Sequence, residues 1–246
     1  MKILVLGDPH GCIPKNLNGI IKKNQIKIII CVGDVPPVPK EFRKGKINYF
    51  PKAFLKRADL FFKEYVKKIC SYRIPVLILR GNMYLTGSRN KLTKEIFSRY
   101  PNLIYKKTGK IKFEDENFVL FDMSFEPHMY KNSDSWMRNK FDENKRRKKK
   151  LISLLKSIKQ NAVIVSHAPP YGHLDNSYKG RRGSKILLEA IKQFQPKLVL
   201  CGHIHENSGT KKIGKTTIIN LGEGKYQVIE LIDNKINITL KGCPKR

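Results

Sequence analysis

An α/β fold is predicted for this 246-residue chain by three observations. Apolar runs of four or five residues recur at Ile3–Leu6, Ile28–Val32, Val76–Leu79, Ala162–Val165 and Leu198–Cys201, too continuously apolar for strands with one wet face. Stretches of helical period lie between several of them. Each run also leads into a short polar motif: Asp8-Pro9-His10, Gly33-Asp34, Gly81-Asn82, Ser166-His167 and Gly202-His203-Ile204-His205. In open α/β sheets ligands gather at the carboxyl ends of the strands, so these residues are expected to converge in one crevice.

The first 35 residues read strand, helix, strand, with Pro14 opening a helix that carries Leu17, Ile20 and Ile21. Pro36-Pro37-Val38-Pro39 breaks the chain and begins a basic loop. Pro51 then suits the first turn of a helix whose apolar face holds Phe54, Phe61, Phe62, Tyr65, Val66 and Ile69. Pro75 leads into the third strand, and a short helix is predicted over Lys91–Arg99. From Leu103 the period becomes two, predicting a hairpin turned at Glu114–Asn117. Residues 126–142 have no period and read as a long loop, and a helix with Leu151, Leu154, Leu155 and Ile158 takes over from Asp142. A strand–helix–strand unit spans Ala162–Cys201. Four short strands close the chain, at Thr210–Ile213, Thr216–Leu221, Tyr226–Ile232 and Ile236–Leu240. With no repeat and no linker, residues 1–246 read as a single domain.

Lys and Arg number 50 against 20 Asp and Glu, for a formal net charge of +30. Such a field attracts polyanions, nucleic acid first among them. A lysine-rich, solubilising surface accounts for the same charge. The five cysteines, at 12, 31, 70, 201 and 243, show no Cys-x-x-Cys pair, which points to a reducing compartment. The N-terminal apolar run is short and ends at Gly7-Asp8, a first strand rather than a secretory signal, and no segment reaches the ~20 apolar residues of a membrane span. A cytoplasmic protein without a membrane partner is expected.

Taken singly, each polar motif is an ordinary turn: Gly-Asp is a common turn dipeptide, and Asp-x-His past a strand need only be polar. His203-x-His205 says more, because residues two apart on an extended segment point to one side. Oxygen and imidazole donors without thiolates suit a hard-to-borderline cation. The five motifs in this order resemble the calcineurin-like metallophosphoesterases, whose pattern is Asp-x-His, Gly-Asp, Gly-Asn-His-Asp/Glu, a lone His and Gly-His-x-His. The resemblance covers essentially the whole chain. It implies a four-layer α/β/β/α sandwich, two mixed β-sheets flanked by helices, and two divalent metal ions. Carried across by position, Asp8, His10, Asp34 and His205 would hold the first ion, and Asp34, Asn82, His167 and His203 the second, with Asp34 bridging. Manganese is the expected ion, with iron, nickel, zinc and cobalt as alternatives. Asp34, Asn82 and His167 would act catalytically through a metal-activated water, since two cations about 3.5–4 Å apart clamp the attacking and leaving oxygens of an in-line displacement.

One departure bears on mechanism. The family's Gly-Asn-His-Asp/Glu reads Gly81-Asn82-Met83-Tyr84 here. The absent His normally donates a proton toward the leaving group, and Met has none to give. Some branches of the family lack this His and still hydrolyse phosphodiesters, so the expected function is metal-dependent phosphoester hydrolysis with phosphodiesters favoured over monoesters. The alternatives are a catalytically weakened scaffold for protein partners and a nuclease acting on RNA or DNA. Replacement acids are sought at His128, His173 and Tyr84, and Glu206 is a candidate acceptor for a ligand imidazole. His173 and the pair Arg181-Arg182, just before a helix from Ser184, are the expected substrate contacts. The run Lys145–Lys150, six consecutive cations, is read as the start of a helix, where it opposes the macrodipole.

Overall fold

The computed structural model describes residues 1–39, 52–82, 95–96, 98–104, 108–121, 135–158, 161–178, 180–232 and 235–242. The chain divides into two compact units: Met1–Tyr105 with Glu223–Arg246, and Lys106–Gly222.

In the first unit a six-stranded mixed sheet runs β14-β13-β1-β2-β3-β4. Its strands are β1 (Lys2–Leu6), β2 (Ile28–Cys31), β3 (Val76–Ile78), β4 (Leu103–Ile104), β13 (Tyr226–Ile232) and β14 (Lys235–Gly242). β1 to β4 are parallel, and β13 joins β1 antiparallel, with Leu4 opposite Val228. Helices α1 (Leu17–Asn24) and α2 (Lys52–Cys70) lay Leu17, Ile20, Phe62, Tyr65, Val66 and Ile69 into one core with Leu4, Leu6, Ile29, Val76 and Ile78. Alternate strand residues Ile3, Val5, Ile28, Ile30 and Leu77 are fully buried as well. With both faces dry, no polar residue interrupts these strands, which is why the runs are continuous. α1 is capped by Asn16, whose Oδ1 accepts the Gly19 N–H at 3.1 Å, and ends at Gln25 in the left-handed conformation (φ 53°).

The second unit carries the order β11-β12-β10-β7-β6-β5. Its strands are β5 (Thr108–Phe113), β6 (Glu116–Phe121), β7 (Ala162–Ser166), β10 (Leu198–Cys201), β11 (Gly209–Ile213) and β12 (Thr216–Asn220). The four central strands are parallel and the two edges antiparallel. Helices α3 (Ser135–Ile158) and α4 (Lys185–Phe194) pack Leu151, Leu155, Leu187, Ala190 and Ile191 on Val119, Phe121, Ile164, Val199 and Ile218. A two-stranded hairpin, β8 (Asn176–Ser177) with β9 (Gly180–Arg181), lies between β7 and α4.

The mixed α/β class with two large mixed sheets is as expected from the sequence. Three local readings are corrected. The β5–β6 turn is tighter than predicted: Phe113 already pairs with Glu116, and Glu114 takes a left-handed φ of 50°. α3 begins at Ser135, so residues 135–142 are helix rather than loop, and good helix formers there such as Met137, Arg138 and Lys140 need no apolar period to do it. Lys145–Lys150 therefore lies mid-helix, away from the terminal amides that a cation would oppose, with Lys148 paired to Glu189 on α4. Residues 122–134, and with them His128, lie outside the described residues, as do Met83 and Tyr84. Among the described residues no helix is long and apolar enough to cross a membrane.

At the amino ends of β6 and β10 a buried ion pair joins Lys197 Nζ to Glu116 at 2.5 Å, with side-chain exposures of only 7% and 11%. Removing one partner leaves the other charged and dry, so Lys197→Met is expected to cost about 3–5 kcal/mol in urea unfolding. Adding Glu116→Leu should recover most of that loss; a double variant no more stable than the single would show that packing, not the charge, sets the cost.

Candidate functional site

In the first unit β1, β2 and β3 are parallel neighbours, so their carboxyl ends open on one edge of the sheet. Asp8 and His10 follow β1, Asp34 follows β2, and Asn82 follows β3. Backbone bonds prolong the pairing past the strands: His10 N–H donates to Asp34 O at 3.0 Å, Gly11 N–H to Val35 O at 3.0 Å, and Gly224 N–H to Asp8 O at 2.7 Å. These bonds hold three ligand-type side chains in a dry place, with Asp8 0%, His10 7% and Asp34 2% exposed. Two carboxylates so buried demand a compensating charge.

The imidazole shows where that charge belongs. His10 Nδ1 lies 3.2 Å from Pro36 O. A carbonyl only accepts, so Nδ1 carries the hydrogen and Nε2 of the neutral ring is left as an acceptor. Nε2 is 4.0 Å from Asp34 Oδ2, too far for a hydrogen bond. Two donors each roughly 2.0–2.2 Å from one cation span up to about 4.2 Å, so this pair fits a shared metal ion.

The backbone is bent to achieve it. His10 (φ 41°) and Asp34 (φ 50°) are both left-handed, a conformation that L-residues adopt at a cost and that clusters at functional sites. Gly81, at φ +74°, lies against Asp34: a Cβ there would come within 2.1 Å of Asp34 Oδ1 and 2.5 Å of its backbone nitrogen. Behind the motifs sits Cys31. Burial pushes its thiol up to about 12, and the charges of Asp8 and Asp34 push the same way. It stays protonated and leaves the donors to oxygen and imidazole.

In the second unit β7, β10 and β12 are parallel neighbours, and their carboxyl ends carry His167, then His203 with His205, then Asn220. Gly202 N–H donates to His167 O at 3.0 Å, which draws the two loops together. The His167 and His203 rings lie 5.0 Å apart between centroids, tilted by 57°. His203 and His205 are not two positions along an extended segment. Ile204 N–H donates to Gly202 O at 2.8 Å across His203 at φ 70°, a strained γ-turn, and His205 opens a short 3₁₀ helix, His205–Asn207. Glu206 is exposed on that helix.

Two residues that hold these loops escaped the sequence reading. Asn220, 1% exposed, donates through Nδ2 to Ile204 O (2.8 Å), Leu174 O (3.1 Å) and Asn207 O (3.3 Å). Asp175 is fully buried and accepts the N–H groups of Gly172 (3.0 Å) and Gly183 (3.2 Å) and Arg181 Nη1 (3.0 Å). Arg181, expected at substrate, thus already has one nitrogen committed, though its side chain is 51% exposed. His173 lies on the same loop, and its buried Nδ1 has no hydrogen-bond partner among the described residues. Burial, and then the charge of Lys211, hold its ring below the ordinary imidazole range.

A family model describing calcineurin-like phosphoesterases matches residues 1–207. The chain belongs to that family. It is therefore a metal-dependent phosphoesterase by descent. An uncharacterized protein of Methanocaldococcus jannaschii is 27% identical over 83% of this chain and 90% of its own length. The human metallophosphoesterase domain-containing protein 1 is 39% identical, over 24% of this chain and 19% of that protein. A Thermus thermophilus crystal structure covers 99% of each chain at a TM-score of 0.60 and 15% identity, a likeness of fold alone. Within this phosphoesterase the parallel strand ends of each unit carry the polar motifs on which the resemblance in sequence rests.

Gly81→Ala is expected to weaken manganese binding by tenfold or more, roughly the effect of disturbing a group that supports a ligand. Isothermal titration reads it, and unchanged affinity would remove Gly81 from the support of Asp34. His173 should titrate below 6.5 by NMR, rising in Lys211→Gln. Its folded pKa is depressed, so its contribution to stability is present above 6.5 and lost as pH falls through the folded pKa, because only the unfolded ring then binds the proton. A His173 resonance titrating at or above 6.5 would refute this environment.

Proposed function

We propose that the two units act as one catalytic domain and that the chain is a phosphodiesterase with a dinuclear centre. Asp8, His10, Asp34 and His205 would hold one divalent ion, and Asp34, Asn82, His167 and His203 the other, with manganese as the physiological metal. When bound, such ions supply Lewis acidity to a phosphoryl oxygen and make a nearby water acidic enough to act at neutral pH. The observation that carries the reading is the facing pair of buried acceptors, His10 Nε2 and Asp34 Oδ2 at 4.0 Å, with the ring's other nitrogen tied to Pro36.

The residues themselves do four things. Pro36 O fixes the His10 tautomer. Asp34 brings the negative charge that offsets two cations. Asn82 contributes a neutral amide oxygen, which orients without quenching charge. Met83 gives no proton to the departing oxygen, so esters with good leaving groups should react fastest. Among the described residues Cys12, Cys31, Cys70 and Cys201 are thiols rather than disulfides, in keeping with the reducing, cytoplasmic setting proposed here.

With manganese, turnover of bis-nitrophenyl phosphate is expected to exceed that of the mono-ester. Met83→His should raise hydrolysis of poor leaving groups by about 10²-fold or more while changing nitrophenyl esters little, since an acid–base role is worth roughly 10²–10⁴-fold. An equal response for both classes would sink the general-acid argument. Asp34→Asn should lower loading of both ions together and His10→Ala mainly one, as counted by metal analysis. An Asp34→Asn protein that still carries two ions per chain would end the bridging assignment.

A further inference from the structure

The β8–β9 hairpin has no part in the chemistry just described, yet it is cationic and braced at its root by hydrogen bonds. Tyr178, at its tip, is 82% exposed. A lone exposed aromatic is ordinary on a surface. What sets this one apart is its root and its surroundings. Asp175 anchors both flanks of the hairpin, binding Gly172 and Gly183 through Oδ2 and Arg181 through Oδ1. Arg182 N–H closes on Asp175 O at 3.0 Å, and Ser177 Oγ donates to Gly180 O at 2.8 Å across the hairpin. The Asp175 carboxylate is thereby spent inside, and the exposed charge of the hairpin itself is positive, with Glu206 the outward carboxylate on the neighbouring 3₁₀ helix. Arg181 is half-exposed, Lys185 Nζ sits 5.1 Å over the Tyr171 ring, and Lys211 and Lys192 act with Arg181 to disfavour charge on His173.

The hairpin is also tied to a ligand-bearing turn. Asn176 N–H donates to Asn207 Oδ1 at 3.3 Å, and Asn207 ends the 3₁₀ helix that begins with His205. Whatever the hairpin grips is held next to that turn.

We propose that this hairpin holds single-stranded nucleic acid, with an unpaired base stacked on Tyr178 and the adjoining phosphates neutralised by Arg181, Arg182 and Lys185. An exposed ring offers its face to any base, whereas bases inside a duplex are already stacked, which selects the single strand. The net charge of +30 complements a phosphate backbone. The inference names the substrate class of the phosphodiesterase reading and rests on that reading for catalysis, though not for binding.

The test is fluorescence anisotropy of the manganese-loaded protein with short phosphorothioate oligouridylate and oligothymidylate probes, across a range of salt. Tyr178→Ala should bind about tenfold more weakly or worse, the scale of base–aromatic stacking, and Tyr178→Phe should keep the wild-type affinity. Arg182→Glu with Lys185→Glu should flatten the slope of log affinity against log salt by about 1.4, near 0.7 per phosphate contact. Thermal melts of each variant separate lost binding from lost folding. If Tyr178→Ala binds as the wild type does, or if polyglutamate displaces the probe as well as unlabelled oligouridylate, the hairpin is not a nucleic-acid site. Wild-type turnover of bis-nitrophenyl phosphate is measured in parallel. Oligonucleotide binding without that turnover overturns the phosphodiesterase reading alone, and turnover with Tyr178→Ala binding intact overturns the hairpin alone.

Discussion

Parallel pairing of adjacent strands is the constraint on which each cluster of ligand-type side chains depends. Neighbours that run the same way end on the same edge, so residues far apart in sequence arrive side by side without any special loop. β1, β2 and β3 bring Asp8, His10, Asp34 and Asn82 to one edge, and β7 and β10 bring His167, His203 and His205 to another. The strands stop short of the ligands, however, and the chain must turn sharply to aim each side chain. That accounts for the left-handed backbones at His10, Asp34 and His203. Each costs of order 1–3 kcal/mol and persists because the flanking strands are too well buried to relax. Asn220, at the end of β12, performs the same service for the loops of the second unit that the strand ends perform for the ligands.

What could be read from the sequence follows from the same physics. The central strands were legible because both faces are dry, leaving an unbroken apolar run, and the polar motifs stood out because they sit directly at the ends of those runs. Asn220 was not: an Asn before Leu-Gly looks like any turn residue, and its role exists only through carbonyls 13 to 46 residues away. Asp175 was hidden in the same way, its Oδ2 filled by backbone groups that carry no sequence signal. The His203 γ-turn was misread as extended because a two-residue spacing is shared by strands and by tight turns. The early start of α3 was missed because residues 135–142 hold only Trp136, Met137 and Phe141 as apolar residues, too few to announce a helical period.

Charge is distributed unevenly between the proposed ligand sets. The first unit supplies both carboxylates and the second supplies imidazoles alone. Anionic donors thus concentrate where Cys31 and Tyr65 lie beneath them, and both of those groups are held in their protonated forms, chiefly by burial. A thiolate or phenolate there would add negative charge to a dry pocket that already holds two carboxylates. The surrounding surplus of lysine and arginine works in the opposite sense at long range, drawing phosphate esters toward the protein while leaving the local donor set to attract cations.

The same positive field bears on the question of a replacement acid. His173 is the histidine nearest in sequence to His167 that holds no motif position, and it was the natural substitute once Met83 stood where the family has His. A general acid must carry its proton near the working pH. Burial disfavours the charged ring of His173, and Lys211, Lys192 and Arg181 disfavour it further, against a smaller opposing effect of Asp175. At neutral pH the ring is therefore neutral, with no acidic proton to give. Burial does most to disarm the candidate acid, and the cations beside it add to that effect. Under the proposed phosphodiesterase reading the leaving group would then depart without a proton from His173, as it would without one from Met83, and both point to the same preference for good leaving groups.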